Sequence, residues 1–314
     1  MNVVHECLTL GNTGIKISPL GIGAWSWGDK LNWGYGQGYQ SKDIQEAFEV
    51  SIEAGINFID TAESYGNGQS ERYVGELIHS TNRTTIVASK FMPYPWRLLK
   101  LSLLDAIRQS LKRLNLKQID LYQIHHPFPP VPIEIWAEAL ADIIDRGLTK
   151  SVGVSNYSTS QMRRAISVLV KRDKMLASNQ VEYNLLNRKA ELSGLMGLCK
   201  ELKVTLIAYS PLAQGLLTGK YTPEKPPPGI RGYRYSRRLI TKIQPLIQIM
   251  REIGRSHDSK TPSQVGLNWV MYKGAVPIPG SKNGKQAMEN AGAMGWSLTS
   301  EEVGLLDQES NKIQ

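Results

Sequence analysis

Features that this sequence lacks exclude several classes of protein. Its two cysteines, Cys7 and Cys199, stand far apart, without the spacing of a zinc site or a redox pair, so we expect both to be reduced and structural. No apolar run approaches the length that a membrane span requires. The residues MNVVHECLTLGNTG lack a basic region followed by an apolar core and a small-residue cleavage site. The sequence therefore predicts a cytoplasmic protein that is neither exported nor bound to a membrane.

The positive charge of the chain is not concentrated in one block. The formal charge is +9 and the pI is near 9.4, but the basic residues are spread through LKRLNLK, MRRAISVLVKRDK and RGYRYSRR. Because each of these runs suits a solvated face, we favour an ordinary basic surface and predict no nucleic-acid partner. A polyphosphorylated cofactor would also favour a basic rim.

The order of the predicted elements indicates the fold class. After a β-hairpin in LTLGNTGIKIS, apolar strand candidates alternate with helical patterns eight times, from LGIGAWS to KQAMENAGAMG. Such alternation predicts a parallel sheet covered by helices, and eight units predict closure into an α/β fold of the (β/α)8 TIM barrel type. The alternative is an open doubly wound sheet, but no G-x-G-x-x-G follows the first strand. No linker rich in Pro, Gly or Ser divides the chain, so residues 1–314 are predicted to form one domain.

Several element boundaries can be predicted as well. The first barrel strand is expected to run from Leu20 to Ser26, and Ser41 is expected to cap the helix that follows. One helix is expected through KAELSGLMGLCKELK. The segment YTPEKPPPGIRGY, inside the seventh unit, has the length of a lid or binding loop.

Ionisable side chains end three consecutive strand candidates. Asp60, Lys90 and His125 close the second, third and fourth strands, and Tyr65 follows Asp60 within FIDTAESYG. Asp60 and Lys90 are in phase with apolar residues two and four positions earlier, and His125 is in phase with Leu121 and Gln123. The three side chains are therefore expected to converge at the mouth of the barrel. Taken singly, Asp60 suits a helix cap or ion pair, and His125 suits a core histidine. Taken together with Lys90 and Tyr65, they predict a functional site at the mouth of the barrel.

This group of residues suits proton delivery to a carbonyl. A nearby ammonium stabilises a phenolate, so we expect Lys90 to lower the pKa of Tyr65 from its ordinary value of about 10. Asp60 would keep Lys90 charged, and His125 would hydrogen-bond the carbonyl oxygen. The pair His125–His126 does not predict a metal site, because adjacent strand residues face opposite ways and no carboxylate–histidine spacing accompanies them.

FIDTAESYG, the strand ending in Lys90, and DLYQIHHP together resemble the aldo/keto reductase superfamily, and the resemblance extends over essentially the whole chain. It implies a catalytic tetrad of Asp60, Tyr65, Lys90 and His125 on a (β/α)8 barrel. Tyr65 would be the general acid in NADPH-dependent reduction of an aldehyde or ketone. One alternative is an NADPH-binding, redox-sensing or regulatory subunit that acts through a protein partner. Another is a phosphate-binding barrel lyase or isomerase without redox chemistry.

The resemblance also implies a cofactor site. Ser155, Asn156 and Gln180 would bind the nicotinamide carboxamide, and Tyr209 would stack on the nicotinamide ring. Ser281 and Lys282 would hold a 2′-phosphate, with Gln286 standing where many members carry arginine, and Glu289 with Asn290 would bind adenine. NADPH is favoured over NADH because Lys282 is cationic. The remaining residues expected in this site are Gly23, Trp25, Asp60, Ser210, Leu212, Gln214, Gly215, Lys220 and Gly280.

Aromatic residues are concentrated in the loops SWGDKLNWGYGQGYQ, MPYPW and HPFPP, which are predicted to extend from the carboxyl face as long substrate loops. They are expected to shape an apolar pocket for a medium-sized carbonyl compound. We expect a monomer rather than an oligomer. The pocket candidates are Trp25, Trp27, Trp33, Tyr94, Trp96, His126 and Phe128.

Overall fold

The computed structural model describes residues 7–227 and 235–313. Eight parallel strands form a single sheet in the order of the sequence. The first and last strand regions meet through a parallel bridge between Gly23 and Gly280, so the sheet closes into a barrel. The predicted (β/α)8 barrel is therefore confirmed. Its strands are β3 (Ile22–Gly23), β4 (Phe58–Asp60), β5 (Ile86–Phe91), β6 (Ile119–Ile124), β7 (Thr149–Ser155), β8 (Leu176–Glu182), β9 (Thr205–Tyr209) and β10 (Val276–Pro277).

The predicted N-terminal hairpin is also confirmed. Strands β1 (Leu8–Thr9) and β2 (Lys16–Ile17) pair antiparallel. The hairpin lies against the amino ends of β8 and β9, because the amide of Gly11 donates to Thr205 Oγ1 at 2.6 Å. A Cβ on Gly11 would lie 2.5 Å from the carbonyl oxygen of Ala177, so only glycine allows this approach. The hairpin closes the end of the barrel opposite the predicted site.

Helices cover the outside of the barrel and fill the connections between strands. A helix of four residues, α1 (Lys30–Trp33), lies inside the first long loop. The helices that follow are α2 (Ser41–Glu53), α3 (Gln69–His79), α4 (Lys100–Leu114), α5 (Ile133–Asp145), α6 (Thr159–Val170), α7 (Lys189–Leu192), α8 (Leu195–Glu201), α9 (Arg237–Lys242), α10 (Gln244–Ser256), α11 (Pro262–Tyr272), α12 (Gly284–Ala291) and α13 (Ser300–Asn311).

Three predicted boundaries were wrong. The first barrel strand ends at Gly23, because residues Ala24–Ser26 turn into a 3-10 helix whose residues Ala24 and Ser26 are buried. The cap of α2 is Gln40, whose amide donates to the Asp43 carboxylate at 2.8 Å. The helix expected through KAELSGLMGLCKELK is two helices, because Gly194 adopts a left-handed φ of 72° between them.

The barrel interior changes from apolar to polar toward the carboxyl ends of the strands. A small apolar cluster that includes Phe58, Ala88, Leu121 and Ile207 fills the centre. Nearer the mouth, the inward positions carry polar side chains, each of them buried. These buried polar residues are Asp60, Lys90, Gln123, Ser178 and Gln180.

Two further predictions from the sequence concern a loop and the absence of membrane spans. The segment YTPEKPPPGIRGY, predicted to be a lid or binding loop, lies outside the described residues from position 228 onward. Within residues 7–227 and 235–313, no helix is both long and apolar enough to cross a membrane.

Candidate active site

Lys90 links Tyr65, the predicted general acid, to Asp60, which is predicted to keep Lys90 charged. Its ammonium lies 2.5 Å from Asp60 Oδ2 and 3.2 Å from Tyr65 Oη, and it also donates to the carbonyl of Thr61 at 2.9 Å. Both Lys90 and Asp60 are buried. Because β4 and β5 pair in parallel, with Asp60 opposite Ala88, Lys90 projects one inward position beyond Asp60. The ammonium therefore lies between the carboxylate and the phenol.

The loop after β4 places Tyr65 above this ion pair. Gly66, Asn67 and Gly68 all adopt left-handed φ angles, between 54° and 83°, so the chain turns sharply after Tyr65. The Tyr65 ring stacks on Trp25, with centroids 6.0 Å apart, and meets His125 edge to face at 5.6 Å. The phenol is thereby held between an indole and an imidazole at the mouth of the barrel.

The pKa of Tyr65 differs in direction from the sequence-based expectation. Burial raises it above 10.0, and the Asp60 carboxylate raises it further, whereas the Lys90 ammonium lowers it. The expected lowering by Lys90 is therefore present but is outweighed by loss of solvent around the phenol. For Lys90 itself, burial lowers the pKa, but Asp60 and Tyr65 together raise it above its ordinary value. Tyr65 is accordingly a neutral donor beside a permanent cation.

His125 is held as a neutral imidazole. Burial, the Lys90 ammonium and His126 all lower the pKa of His125 well below 6.5. Its Nδ1 lies 3.4 Å from Ser64 Oγ, which leaves Nε2 for a ligand. A neutral ring with a proton on Nε2 can donate one hydrogen bond to a carbonyl oxygen.

A polar layer beneath Asp60 was not predicted. Gln180 donates to Asp60 Oδ1 at 2.8 Å, and Gln123 lies 3.4 Å from the same oxygen. Ser178 in turn donates to Gln123 Oε1 at 3.2 Å. A Cβ on Gly153 would lie 2.1 Å from Ser178 Oγ, so glycine makes room for this layer. Buried glutamines in otherwise apolar strands were the available signal.

A cavity of about 890 Å³ opens at the carboxyl ends of the strands, beside Tyr65. It extends from the tetrad to the start of α12. The predicted residues that line it are Gly23, Trp25, Asp60, Tyr65, His125, Ser155, Asn156, Gln180, Tyr209, Ser210, Leu212, Gln214, Gly215, Lys220, Gly280, Lys282, Gln286, Glu289 and Asn290.

The structure brings together all but two of the predicted tetrad and cofactor residues on this lining. Lys90 lies beneath it, in contact with Tyr65. Ser281 is buried, and its carbonyl accepts a hydrogen bond from Trp27 Nε1 at 2.9 Å. Sequence reasoning missed Lys285, an exposed cation in the first turn of α12 that lines the same end of the cavity.

The backbone along the cavity suits a phosphorylated dinucleotide. Ser210, Ala213 and Gln214 all have φ angles near 50°, a conformation that non-glycine residues adopt at a cost and that is concentrated at functional sites. At Gly280, a Cβ would make only ordinary contacts, the nearest 3.6 Å away, and its φ is not positive. Protein packing therefore does not require glycine there, whereas a ligand passing close to the backbone would. Lys220, Lys282 and Lys285 supply positive charge on the lining.

The aromatic residues of the loops divide into three groups. Trp25, Trp33 and His126 line the cavity, and Trp25 meets Trp33 edge to face at 5.4 Å. The expectation was wrong for Trp27, which is fully buried in the main core. Tyr94 and Trp96 stack on each other at 4.7 Å, with Trp96 exposed to solvent, and Phe128 stacks on His126 at 4.6 Å. None of these last three is on the lining.

Comparison with known proteins identifies the family. A model of the Aldo/keto reductase family matches residues 19–311. The chloroplastic pyridoxal reductase of Arabidopsis thaliana is 39% identical over 301 residues, which cover 92% of this chain and 82% of that protein. The crystal structure of a thermostable aldo-keto reductase with the inhibitor epalrestat matches with a TM-score of 0.79 and 31% identity, over 97% of this chain and 99% of that one. An aldo-keto reductase from Klebsiella pneumoniae, solved with NADPH, matches with a TM-score of 0.76 and 26% identity, over 98% and 95% of the two chains.

The fold and these relatives define an oxidoreductase built on a (β/α)8 barrel. The chain belongs to the aldo/keto reductase family.

Proposed function

We infer that this protein reduces an aldehyde or ketone to the alcohol with NADPH, and that Tyr65 is the general acid. The observation that carries this inference is the buried pair of hydrogen bonds that Lys90 makes to Asp60, at 2.5 Å, and to Tyr65, at 3.2 Å. Tyr65 lies at a cavity that His125 also lines. A phenol and a neutral imidazole at one mouth can both reach one carbonyl oxygen.

The residues of the site would divide the work of proton delivery. NADPH, when bound, supplies the hydride. As the carbonyl carbon accepts it, charge develops on the oxygen, and His125 Nε2 and the Tyr65 hydroxyl stabilise that charge by donating hydrogen bonds. Tyr65 then transfers its proton to the oxygen. The phenolate that remains is stabilised by the Lys90 ammonium, which the Asp60 carboxylate holds in place.

The lining supports NADPH rather than NADH. The Lys282 ammonium donates to the carbonyl of Trp33 at 2.7 Å and lies over the rings of Trp33 and Tyr39. It is thus already positioned at the α12 end of the cavity, where Lys285 adds a second cation. A 2′-phosphate there would meet both charges and the amino terminus of an eight-residue helix. Gln286 would contribute hydrogen bonds but no charge.

The substrate is proposed to be a medium-sized carbonyl compound. Trp25, Trp33 and Met92 form an apolar part of the lining near Tyr65. The Arabidopsis relative is a pyridoxal reductase, which makes pyridoxal the first aldehyde to test. A monomer in the cytoplasm remains our prediction for its state and location.

The test is direct. Purified protein is titrated with NADPH while cofactor fluorescence is followed, and NADPH oxidation is then measured with pyridoxal, benzaldehyde and simple ketones. We expect saturable NADPH binding and turnover with at least one aldehyde. Tight NADPH binding without turnover on any carbonyl would instead favour a regulatory subunit, and the absence of NADPH binding would exclude both functions.

A further inference from the structure

His126 offers an edge, not a face, to the cavity. Its ring lies between those of His125 and Phe128, with centroid distances of 5.1 and 4.6 Å and interplanar angles of 8° in both pairs. Stacking on these two rings restricts access to the faces of the imidazole. Because His126 nevertheless lines the cavity, only its rim can meet a ligand there. This corrects the expectation that His126 contributes an apolar wall.

The orientation of Asn156 determines which nitrogen of His126 carries the proton. Asn156 Nδ2 lies 3.2 Å from the backbone carbonyl of His125, which can only accept a hydrogen bond. The nitrogen of the amide must therefore be on that side, and Oδ1 accepts from Tyr209 Oη at 3.0 Å on the other. The same Nδ2 lies 3.2 Å from His126 Nδ1. Nδ2 also lies 3.1 Å from Ser155 Oγ, so its two hydrogens are shared among three neighbours. Since an amide nitrogen only donates, a proton on His126 Nδ1 would face another donor, so Nδ1 is the nitrogen without the proton.

A neutral His126 with an accepting Nδ1 carries its proton on Nε2. Burial and the Lys90 ammonium lower the pKa of His126 below 6.5, so the neutral form prevails at neutral pH. Among residues 7–227 and 235–313, Nε2 has no hydrogen-bond partner, whereas Nδ1 has Asn156. Because Asn156 occupies the Nδ1 corner, Nε2–H is the polar group of the ring that is available to a ligand.

We propose that His126 is a specificity-determining residue whose Nε2–H donates a hydrogen bond to a second acceptor on the substrate. This proposal rests on the carbonyl reductase function inferred above. The preferred substrates would be aldehydes on a planar ring that also bears an acceptor atom, such as a ring nitrogen or a phenolic oxygen. His125 would bind the carbonyl oxygen while the neighbouring ring, 5.1 Å away, binds the second acceptor a few ångströms along the same substrate.

His126 is also connected, through Asn156, to the residues predicted to bind the nicotinamide. Asn156 links the His125 peptide, the His126 ring and the Tyr209 hydroxyl. A substrate atom bound to Nε2 is therefore held by a ring whose opposite corner is fixed by a residue of the predicted nicotinamide subsite. Orientation of the substrate ring relative to the cofactor follows from this single connection.

The test compares aldehydes that differ by one ring atom. Wild-type protein and His126→Phe are assayed with NADPH on benzaldehyde and on the 2-, 3- and 4-pyridinecarbaldehydes. His126→Phe keeps a planar ring between His125 and Phe128 but removes Nε2–H. Intrinsic reactivity of each aldehyde cancels when the kcat/KM ratio of pyridine aldehyde to benzaldehyde is compared between the two proteins. We expect this ratio to fall about fivefold or more for at least one isomer, the size of one hydrogen bond.

Two controls keep the result specific. Phe128→Leu removes a stacking partner but leaves Nε2–H, so its ratios should match those of wild type. His126→Leu is a second variant without the donor, and it serves if His126→Phe does not fold. The NADPH dissociation constant of each variant shows whether Asn156 has been displaced.

The possible outcomes separate the two proposals. Ratios that stay within twofold of wild type for all three isomers, in variants that bind NADPH normally, would overturn the role of His126 while leaving the reductase function intact. Failure of the wild-type protein to reduce any of the four aldehydes, together with those of the wider screen, would remove both proposals.

Discussion

The Lys90 ammonium and the Asp60 carboxylate form a buried ion pair at 2.5 Å, and the same ammonium lies 3.2 Å from the Tyr65 hydroxyl. Lys90 is 0% and Asp60 1% exposed to solvent. A buried pair of this kind costs desolvation free energy that its attraction must offset. The pair thus places a positive charge beside a phenol that burial alone would make a poor acid.

Removal of Lys90 is expected to affect stability as well as turnover. In Lys90→Met the Asp60 carboxylate would remain buried without its cation, so the free energy of unfolding should fall by about 3–5 kcal/mol. The double variant Lys90→Met/Asp60→Asn removes both charges and keeps an acceptor for Gln180, so it should recover part of the loss. Urea denaturation measures both changes. A Lys90→Met protein as stable as wild type would contradict the buried-pair interpretation.

The pH dependence of reduction should show its main change at alkaline pH. Reduction uses the protonated phenol, and burial raises the pKa of Tyr65 above 10.0 despite Lys90. The proton is therefore present below about pH 10, and kcat/KM should fall only as pH rises beyond it. His125 has a pKa well below 6.5, so no step from this residue is expected between pH 7 and 9. A falling limb near pH 7 to 8 would show that the Tyr65 pKa is lowered instead.

Cofactor discrimination should depend on Lys282. A charge-assisted hydrogen bond to a phosphate contributes about 1.5–3 kcal/mol, so Lys282→Met should weaken NADPH about 10- to 100-fold and NADH little. Dissociation constants for both cofactors are measured by fluorescence titration. Lys312→Met, a change at an exposed lysine paired with Glu309, is the control. Equal losses for NADPH and NADH would exclude contact with a 2′-phosphate.

Gly68 should be intolerant of a side chain for two separable reasons. Its φ is 83°, and a Cβ would lie 2.6 Å from Arg113 Cδ, so Gly68→Ala would strain the loop that positions Tyr65. Gly147 shares the left-handed conformation, with a φ of 68°, but a Cβ there would meet nothing within 4 Å. Gly147→Ala should cost about 1 kcal/mol of stability from backbone strain alone. Gly68→Ala should cost more and should also lower kcat.

Denaturation curves and steady-state rates of the two glycine variants make this comparison. If both variants lost the same stability and kept the wild-type kcat, the Arg113 side chain would have moved to accommodate the new methyl group. A loss of kcat confined to Gly68→Ala would instead confirm that the turn after Tyr65 is constrained by its packing on α4.

The barrel could be predicted because its signals are local and repeated. Period-two alternation before Asp60 and Lys90 gave both the strands and the inward direction of their last residues. The first strand was predicted too long because LGIGAWS is apolar up to Ser26, and burial of Ala24 and Ser26 in a 3-10 turn is a tertiary effect. The helix Ser300–Asn311 was missed although Thr299 and Glu302 form a capping box, a pattern that the sequence displays.

Other properties of the site depend on contacts that sequence patterns do not encode. The net direction of the Tyr65 pKa follows from burial, which outweighs a neighbour that the sequence did identify. Gln180 was predicted for the cofactor, yet its amide donates to Asp60. The proton position on His126 follows from the orientation of Asn156, 30 residues away in the chain.

Proton delivery by Tyr65 can be measured in a single turnover. Wild type and Tyr65→Phe are each loaded with NADPH and mixed with excess aldehyde, and loss of nicotinamide absorbance is followed. If Tyr65 is the general acid, Tyr65→Phe should leave the NADPH dissociation constant unchanged and should lower the rate roughly 10²- to 10⁴-fold. A variant that oxidises bound NADPH at the wild-type rate would contradict it.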